Sequence, residues 1–291
     1  MTQLRKAVLP VAGLGTRVLP ATKVLPKEML PVFDRPALQY VIDEAISAGI
    51  EHFIFVTGRN KQSIEDYFDI AYELEDTLTR KGKDAILDEL KALLPEAGAC
   101  SFVRQQAPLG LGHAIWCARD LVGEEPFAVL LPDMIMVSDR PCLAQMADAH
   151  AKVGGNLIAV EEVPREQVSN YGIVDIEPAV DGLMAMKGMV EKPAIEDAPS
   201  NFMISGRYIL EPEIFGLLSD QAAGAGGEIQ LTDAMARLMA TRPFSALPFD
   251  GRTYDTGSKL GYLEAFLALS VRDSRWGDQA SEMIKTFAKS L

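Results

Sequence analysis

The chain is short of the residues that build disulfide scaffolds, metal cages and membrane spans. Its three cysteines (Cys100, Cys117, Cys142) and three histidines (His52, His113, His150) show no paired-ligand spacing, so free thiols are expected rather than disulfides or a zinc site. No apolar run approaches the roughly 18 residues of a membrane-crossing helix. The opening MTQLRK leads into a strand rather than a signal-peptide core, and a cytoplasmic protein is expected. Cations are in deficit, with 28 Lys and Arg against 41 Asp and Glu and a net charge of −13. Non-specific nucleic-acid binding, which depends on neutralising phosphates, is thereby disfavoured. Neither a Ser-His-Asp set nor a reactive-cysteine setting is present, so a covalent enzyme intermediate is not expected.

Against these absences stands one dense segment, residues 8–31, VLPVAGLGTRVLPATKVLPKEMLP. An apolar strand at residues 6–11 enters a loop through Gly13 and Gly15, where missing side chains let backbone N–H groups approach an anion. Thr16 offers a hydroxyl, and Arg17, Lys23 and Lys27 follow. Arg17 suits a bidentate grip on phosphate oxygens, while the lysines act as point charges. A P-loop would need Gly-Lys-Ser/Thr where Gly15-Thr16-Arg17 stands. A dinucleotide fingerprint would need a third glycine in place of Val18 and a helix opening on the loop, but Pro20, Pro26 and Pro31 follow. The segment therefore reads as an extended, proline-stiffened loop for a nucleoside triphosphate. On an acidic background its cations form a local attractive spot, and nearby carboxylates could hold a divalent cation against the phosphates.

With 291 residues and 48% hydrophobic content the chain can bury a large core. Pro36 and Gly49 bracket a helical pattern of Leu38, Val41, Ile42, Ala45 and Ile46, and a strand is expected at 52–57. Strand patterns recur at 101–104, 127–131 and 156–160 with helices between them, which predicts an α/β fold with a mostly parallel sheet covered on both faces. Residues 62–99 interrupt this rhythm with a charged helical insertion, expected to be solvated at the domain edge. Beyond residue 163 shorter strands at 171–176, 183–190 and 201–210 give a mixed character, and helices return at 231–240, 260–269 and 280–289. No linker or repeat separates the halves, so one continuous domain over 1–291 is expected: 5–160 with the insertion at 62–99, then 161–270, then a C-terminal helix in 271–291.

Four further constellations carry chemistry. Asp133 in FAVLLPDMIM lies just past an apolar strand, where open α/β sheets bind ligands, although an Asp there also serves as an ordinary cap. Asp255 in RTYDTGSK occupies a similar place, and two such carboxylates with phosphate oxygens form the hard oxygen set that magnesium takes. In Val190-Glu191-Lys192-Pro193, Glu191 could accept from sugar hydroxyls and Lys192 could neutralise a phosphate. Both reach one cleft only if the strand bends, with Pro193 expected to hold Lys192 extended; a surface ion pair is the bland alternative. In Arg104-Gln105-Gln106 with Pro108 to Ala114, the Gln105 amide matches a pyrimidine edge and Gly110 lets backbone approach a flat base. A helix cap explains that composition equally well, and His113 is expected in the first helical turn rather than as a base.

Taken together, GLGTRVLPATKVLPKEMLP, RQQAPLGLGHA, LPDMI, YGIV, VEKP, GRYIL, GEIQLTDA and YDTGSKLGY resemble the bacterial UTP–glucose-1-phosphate uridylyltransferases, in motif order from about residue 6 to 266. The resemblance implies a Rossmann-like nucleotidyltransferase fold and a magnesium (Mg2+) dependent reaction. UTP and glucose 1-phosphate would give UDP-glucose and pyrophosphate by direct in-line attack on the α-phosphorus. By matched motif, Ala12 and Gly13 with Gln105 and Gly110 hold uracil, in a nucleotide loop that includes Gly15 and Thr16. Arg17 and Lys27 handle the triphosphate, Asp133 and Asp255 bind magnesium, Gly172 and Glu191 read the sugar, and Lys192 takes its phosphate. A homo-oligomer is what the family suggests. A thymidylyltransferase or another sugar-nucleotide pyrophosphorylase is the nearest rival, since one methyl separates thymine from uracil. A noncatalytic sensor would be expected to lose a metal carboxylate or Lys192, and both kinds of residue are present.

Overall fold

The computed structural model describes residues 3–220, 222, 224 and 227–291. The first half contributes strands β1 (Lys6–Pro10), β2 (Pro31–Val32), β3 (Arg35–Pro36), β4 (His52–Thr57), β5 (Cys100–Arg104), β6 (Phe127–Leu130) and β7 (Met134–Val137). The second half adds β8 (Asn156–Glu162), β9 (Gly172–Ile176), β10 (Met184–Glu191), β11 (Phe202–Leu210), β12 (Phe244–Pro248) and β13 (Arg252–Asp255). One nine-stranded sheet crosses both halves in the order β5-β4-β1-β6-β11-β8-β12-β10-β9. The four strands β5, β4, β1 and β6 run parallel, as the strand-helix alternation requires. Past β6 the sheet is mixed, because β11 runs antiparallel to both β6 and β8 and β10 runs antiparallel to β9 and β12.

The strand period sorts the core onto the two faces. In β1, Val8 joins one cluster with Ile54, Val56, Val129 and Ile115. Ala7 and Leu9 face the other, where Phe53, Phe55 and Leu130 meet Leu38, Val41 and Ile42 of the helix Ala37–Ser47. Each fully buried Leu, Ile or Phe there contributes roughly 1.5–3 kcal/mol. The 62–99 insertion breaks into three short helices, Gln62–Tyr67, Tyr72–Arg80 and Asp84–Ala92, parted where Asp69 caps the amide of Ile70 and where Gly82 adopts φ 61°. It packs beside the helix Ala37–Ser47, with Ile64 and Phe68 against Phe55, and has no buried residue in its middle helix. Strand β12 is hidden from periodicity by its closing Pro248, yet Phe244 and Ala246 alternate into the core. Cys100, Cys117 and Cys142 are free thiols, with Cys142 buried and the other two half-buried. No helix among the described residues is long and apolar enough to cross a membrane.

A β-bulge supplies the main polar joint of the core. Ile204 faces Val160 and Tyr208 faces Ile158, so β11 has more residues than β8 over the same span; Gly206 absorbs the distortion at φ 77°. The bulge aims Arg207 inward, where its side chain is fully buried against Glu44 at 2.7 Å. Arg207 Nη1 donates to the Leu131 carbonyl at 3.2 Å and Nη2 to the Met134 carbonyl at 2.8 Å. Glu44 Oε1 also accepts from the Leu143 amide at 3.0 Å. A buried pair so fully hydrogen-bonded matters less for its net energy than for what its loss would strand. We expect Glu44→Gln, which leaves the Arg207 charge without its partner, to lower the unfolding free energy by about 3–5 kcal/mol in urea titrations. Arg80→Gln, which breaks the exposed pair with Asp76, should change it by less than about 0.5 kcal/mol.

Candidate active site

The glycine loop is not extended as its prolines suggest. It curls through three single 3-10 turns, Thr16–Val18, Ala21–Lys23 and Lys27–Met29, the last two opening directly after Pro20 and Pro26. A proline fixes φ near the value a turn requires and lacks the N–H that a turn's first residue would leave unpaired, so it starts turns as readily as it stiffens extended chain. Gly15, at φ 65°, reverses the chain, and its carbonyl accepts from Thr22 Oγ1 at 2.7 Å. A Cβ on Gly15 would stand 3.2 Å from the Lys27 Cβ, so the loop closes back on itself and returns Lys27 past the glycines. The turn bearing Lys27 is anchored by its neighbour: Glu28, fully buried, accepts from Lys61 Nζ at 2.7 Å. Lys23 stays exposed and turns instead to a small hollow with Arg59 and Lys61.

Asp133 and Asp255, far apart in sequence, are brought together by the ribbon of β7 and β13. Asp255 pairs with Met134 across it, while Thr256 donates both its N–H (2.8 Å) and its hydroxyl (2.9 Å) to the Asp133 carbonyl. The Arg207 contacts to Leu131 and Met134 grip the same turn from below, so Asp133 sits on a clamped corner. Lys27 Nζ lies 2.5 Å from Asp133 Oδ2; Arg17 bridges the carboxylates, at 3.4 Å from Asp133 and 3.1 Å from Asp255. The Arg17 side chain is 60% exposed and that of Lys27 only 17%, so the first reaches the carboxylates from the solvent side and the second is a buried charge. Burial alone would raise the Asp133 carboxyl, but Lys27, its hydrogen bond and Arg17 outweigh burial and hold it below the usual range. Asp255 is pushed up, by burial and by the Asp133 charge, against the pull of Arg17. The site thus holds one firmly ionised carboxylate and one more easily protonated.

Gly257 marks where the four groups converge. A Cβ there would lie 2.6 Å from Asp133 Oδ2 and 2.9 Å from Asp255 Oδ1, and would run into Arg17. Among the described residues no third acidic, histidine or cysteine ligand joins the two carboxylates. That donor set does not form a closed protein cage. It matches the way magnesium is held, by one or two carboxylates with the remaining positions left to substrate phosphates and water.

Beside this cluster opens a cavity of about 360 Å³ lined by Ala12, Gly13, Thr16, Gln105, Gly110 and Glu228 among others. Gly15 is not in that lining; it shapes the loop. Gly110, at φ 103°, lines the cavity, but the tight contact that requires a glycine is with protein. A Cβ there would meet Glu228 and the backbone of Ile229 at 2.7–2.9 Å, and Ile229 N–H donates to the Leu109 carbonyl at 2.7 Å. Gln105 leaves β5 with its N–H on the Thr57 carbonyl, and its amide nitrogen donates to the Gly110 carbonyl at 3.0 Å. His113 falls within the helix Leu111–Cys117, outside the cavity lining.

On the other side lie Gly172, Glu191 and Lys192. Gly172 and Glu191 are register partners, and a Cβ on Gly172 would come within 3.2 Å of Glu191 Oε2, so the glycine makes room for that carboxylate. Thr232 Oγ1 donates to the same oxygen at 2.8 Å. Lys192 is not extended ahead of Pro193: it turns at φ 47°, its N–H held by the Tyr171 carbonyl at 3.0 Å. A left-handed turn at a non-glycine costs of order 1 kcal/mol and is what breaks the alternation, leaving Lys192 Nζ 3.8 Å from Glu191 Oε1. The Tyr171 hydroxyl is shifted upward by burial and then by Asp255, which ties this side to the charge cluster.

Thr256, Thr232, Glu228 and the Glu28–Lys61 and Glu44–Arg207 pairs escaped the sequence reading. The readable signals were the lone Arg207 within the apolar run FMISGRYIL and the charges wedged into PKEMLP.

A base-sized cavity, paired carboxylates and two phosphate-compatible cations, gathered past the carboxyl ends of β1 and β6 and at the end of β13, with no nucleophile among them, define a nucleotidyltransferase. The nucleotidyl transferase family model matches residues 6–271. The UTP–glucose-1-phosphate uridylyltransferase of Bacillus subtilis is 48% identical over 279 residues, covering 96% of this chain and 95% of that protein. Among solved structures, the UTP-bound UGPase from Acinetobacter baumannii is similar with a TM-score of 0.90 and 46% identity, over 97% of this chain and 99% of that one. A UDP-glucose pyrophosphorylase complexed with UDP-glucose gives 0.84 and 43%, over 92% and 98%. The chain belongs to the UTP–glucose-1-phosphate uridylyltransferase family.

Gly257→Ala tests whether the convergence matters. We expect kcat to fall about 100-fold, as for a displacement near 1 Å of reacting groups, with the urea midpoint little changed because the glycine faces the site.

Proposed function

We propose that the protein joins UTP and glucose 1-phosphate to UDP-glucose and pyrophosphate by direct in-line displacement. The observation that carries this is the order of the cleft: a cavity with an amide for a base, a four-charge cluster, then a carboxylate and a lysine side by side. The ligands bound in the related structures, UTP and UDP-glucose, fit that order.

In this reading uracil lies in the cavity, with Ala12, Gly13 and Gly110 giving backbone contact and Gln105 its amide. Gly15 and Thr16 shape the loop under the phosphates. Lys27 stays beside the α-phosphate, and Arg17, on its exposed arm, leaves the carboxylates to follow the departing pyrophosphate. Both cations meet charge that develops in the transition state, which is where electrostatic stabilisation acts on rate. Asp133 and Asp255 would hold magnesium, which would neutralise phosphate charge there. Glu191, steadied by Thr232, accepts from sugar hydroxyls beside Gly172, and Lys192 neutralises the sugar phosphate and aims its oxygen. No general base is needed, because the attacking phosphate oxygen is already anionic.

The 291 residues act as one catalytic unit, since one sheet runs through both halves. Its setting is the cytoplasm. A homo-oligomer is the further expectation, supported by Leu260, Leu263, Met283 and Phe287 standing exposed on the C-terminal helices Lys259–Arg272 and Gly277–Ala288.

A pyrophosphate-release panel of UTP, TTP, ATP and GTP against glucose 1-phosphate and its epimers tests the reading. Turnover should require magnesium, favour UTP with glucose 1-phosphate, and fall at least about 100-fold in Asp133→Asn. Robust turnover by that variant, or far better use of TTP, would overturn it.

A further inference from the structure

Gln105 can present either face of its amide to a base, and the two faces recognise different pyrimidines. Uracil carries a hydrogen-bond donor at N3 and cytosine an acceptor. The amide nitrogen of Gln105 is engaged twice on the protein side, donating to the Gly110 carbonyl at 3.0 Å and lying 3.2 Å from His113 Nδ1. A carbonyl only accepts, so the first contact fixes which end is nitrogen. The second contact then requires an unprotonated Nδ1, with the imidazole proton on Nε2. Gln105 Oε1 has no protein partner among the described residues, and Gln105 lines the base cavity.

Resting on the uridylyltransferase reading, we propose that His113 is a positioning residue for base recognition: as a neutral acceptor it locks the Gln105 amide with its oxygen toward the base, selecting the imide N–H of uracil over the N3 lone pair of cytosine. Protonation of Nδ1 would set N–H against N–H, and rotation of the amide to relieve that would set Oε1 against the Gly110 carbonyl. The three groups agree only while His113 is neutral.

The surroundings keep it so. The ring stacks on Trp116, with centroids 5.9 Å apart, and the Cys117 sulfur lies 4.0 Å from both ring nitrogens. The thiol is itself held protonated, because burial raises it. The elements packed on this helix, Arg119–Val122, Ile214–Ser219, Leu231–Leu238, β1 and β4, carry Arg119, Asp120, Asp233, Arg237, Lys6 and His52 as their titratable groups. None of these shifts His113; burial alone lowers it.

The test compares His113→Leu, which removes the acceptor, with His113→Asn, which keeps an acceptor oxygen near the Nδ1 position but does not titrate. Binding of UTP and CTP with magnesium is measured by equilibrium dialysis from pH 8 downward, and kcat and KM are measured alongside. We expect His113→Leu to lower the UTP-over-CTP binding ratio about tenfold and raise KM for UTP similarly, with kcat within about twofold. His113→Asn should keep the wild-type ratio. In the wild type the ratio should fall as pH drops through the His113 pKa, below the ordinary histidine range, while in His113→Asn it stays flat. Charge changes on UTP itself are shared by both proteins and cancel in this comparison. An unchanged ratio in His113→Leu, or matching pH profiles for wild type and His113→Asn, would overturn the proposal. A wild type that binds UTP but does not turn over with glucose 1-phosphate would instead overturn the reaction, and the binding ratios would still decide the role of His113.

Discussion

The site is organised by one electrostatic constraint: two carboxylates and two cations, drawn from three distant segments, neutralise one another around Asp133. Without ligand neither sign can be left alone in that half-buried corner. Asp133 would cost several kcal/mol if stranded there, and so would Lys27. Their mutual contact keeps both ionised and holds the cleft in its working shape. The same arrangement is poised to exchange partners with a charged ligand, because each cation and each carboxylate already has a partner it can trade. In the proposed reaction the phosphates would take Arg17 and Lys27 while Asp133 and Asp255 would hold magnesium, so each group would trade one partner of opposite charge for another.

Such a cluster works only if its members are held. The scaffold does this from below with Arg207, whose buried guanidinium grips the carbonyls on either side of Asp133, and from the side with Thr256. The Lys27 turn is pinned through Glu28 and Lys61. Of the four groups Arg17 is the exposed one, held by its two carboxylate contacts alone. That asymmetry suits a reaction in which one cation stays with the phosphate being transferred and another follows the leaving group. The cavity and the Glu191–Lys192 pair lie on opposite flanks of the cluster, one on the parallel side of the sheet and the other where β9 and β10 bend at Lys192.

Much of this was legible in the sequence, because strand period, helix spacing and the glycine-cation run are local properties. The parallel half, the mixed second half and the gathering of cations on the glycine loop all follow from residues near one another in the chain. What was not legible depends on long-range pairing. Nothing local shows that Asp133 meets Asp255; only the antiparallel register of β7 and β13 does that. Prolines mark constraint without saying which, and Pro20 and Pro26 open turns where extension was expected. Lys192 likewise adopts a strained turn that its following proline alone would not suggest, because the Tyr171 carbonyl holds its amide. Arg207 illustrates the general case. A charged residue in an apolar strand announces a buried partner, but only the fold names Glu44.

The partner-exchange account is tested most directly by UTP binding in the absence of divalent metal, measured by calorimetry in chelator for wild type and Asp133→Asn. If the carboxylates hold the cations in reserve, removing one should free Lys27 and Arg17, and the variant should bind metal-free UTP more tightly than wild type, by about tenfold for 1.4 kcal/mol of released competition. Equal or weaker binding by Asp133→Asn would contradict the account, because it would mean that the ion pairs do not compete with the triphosphate.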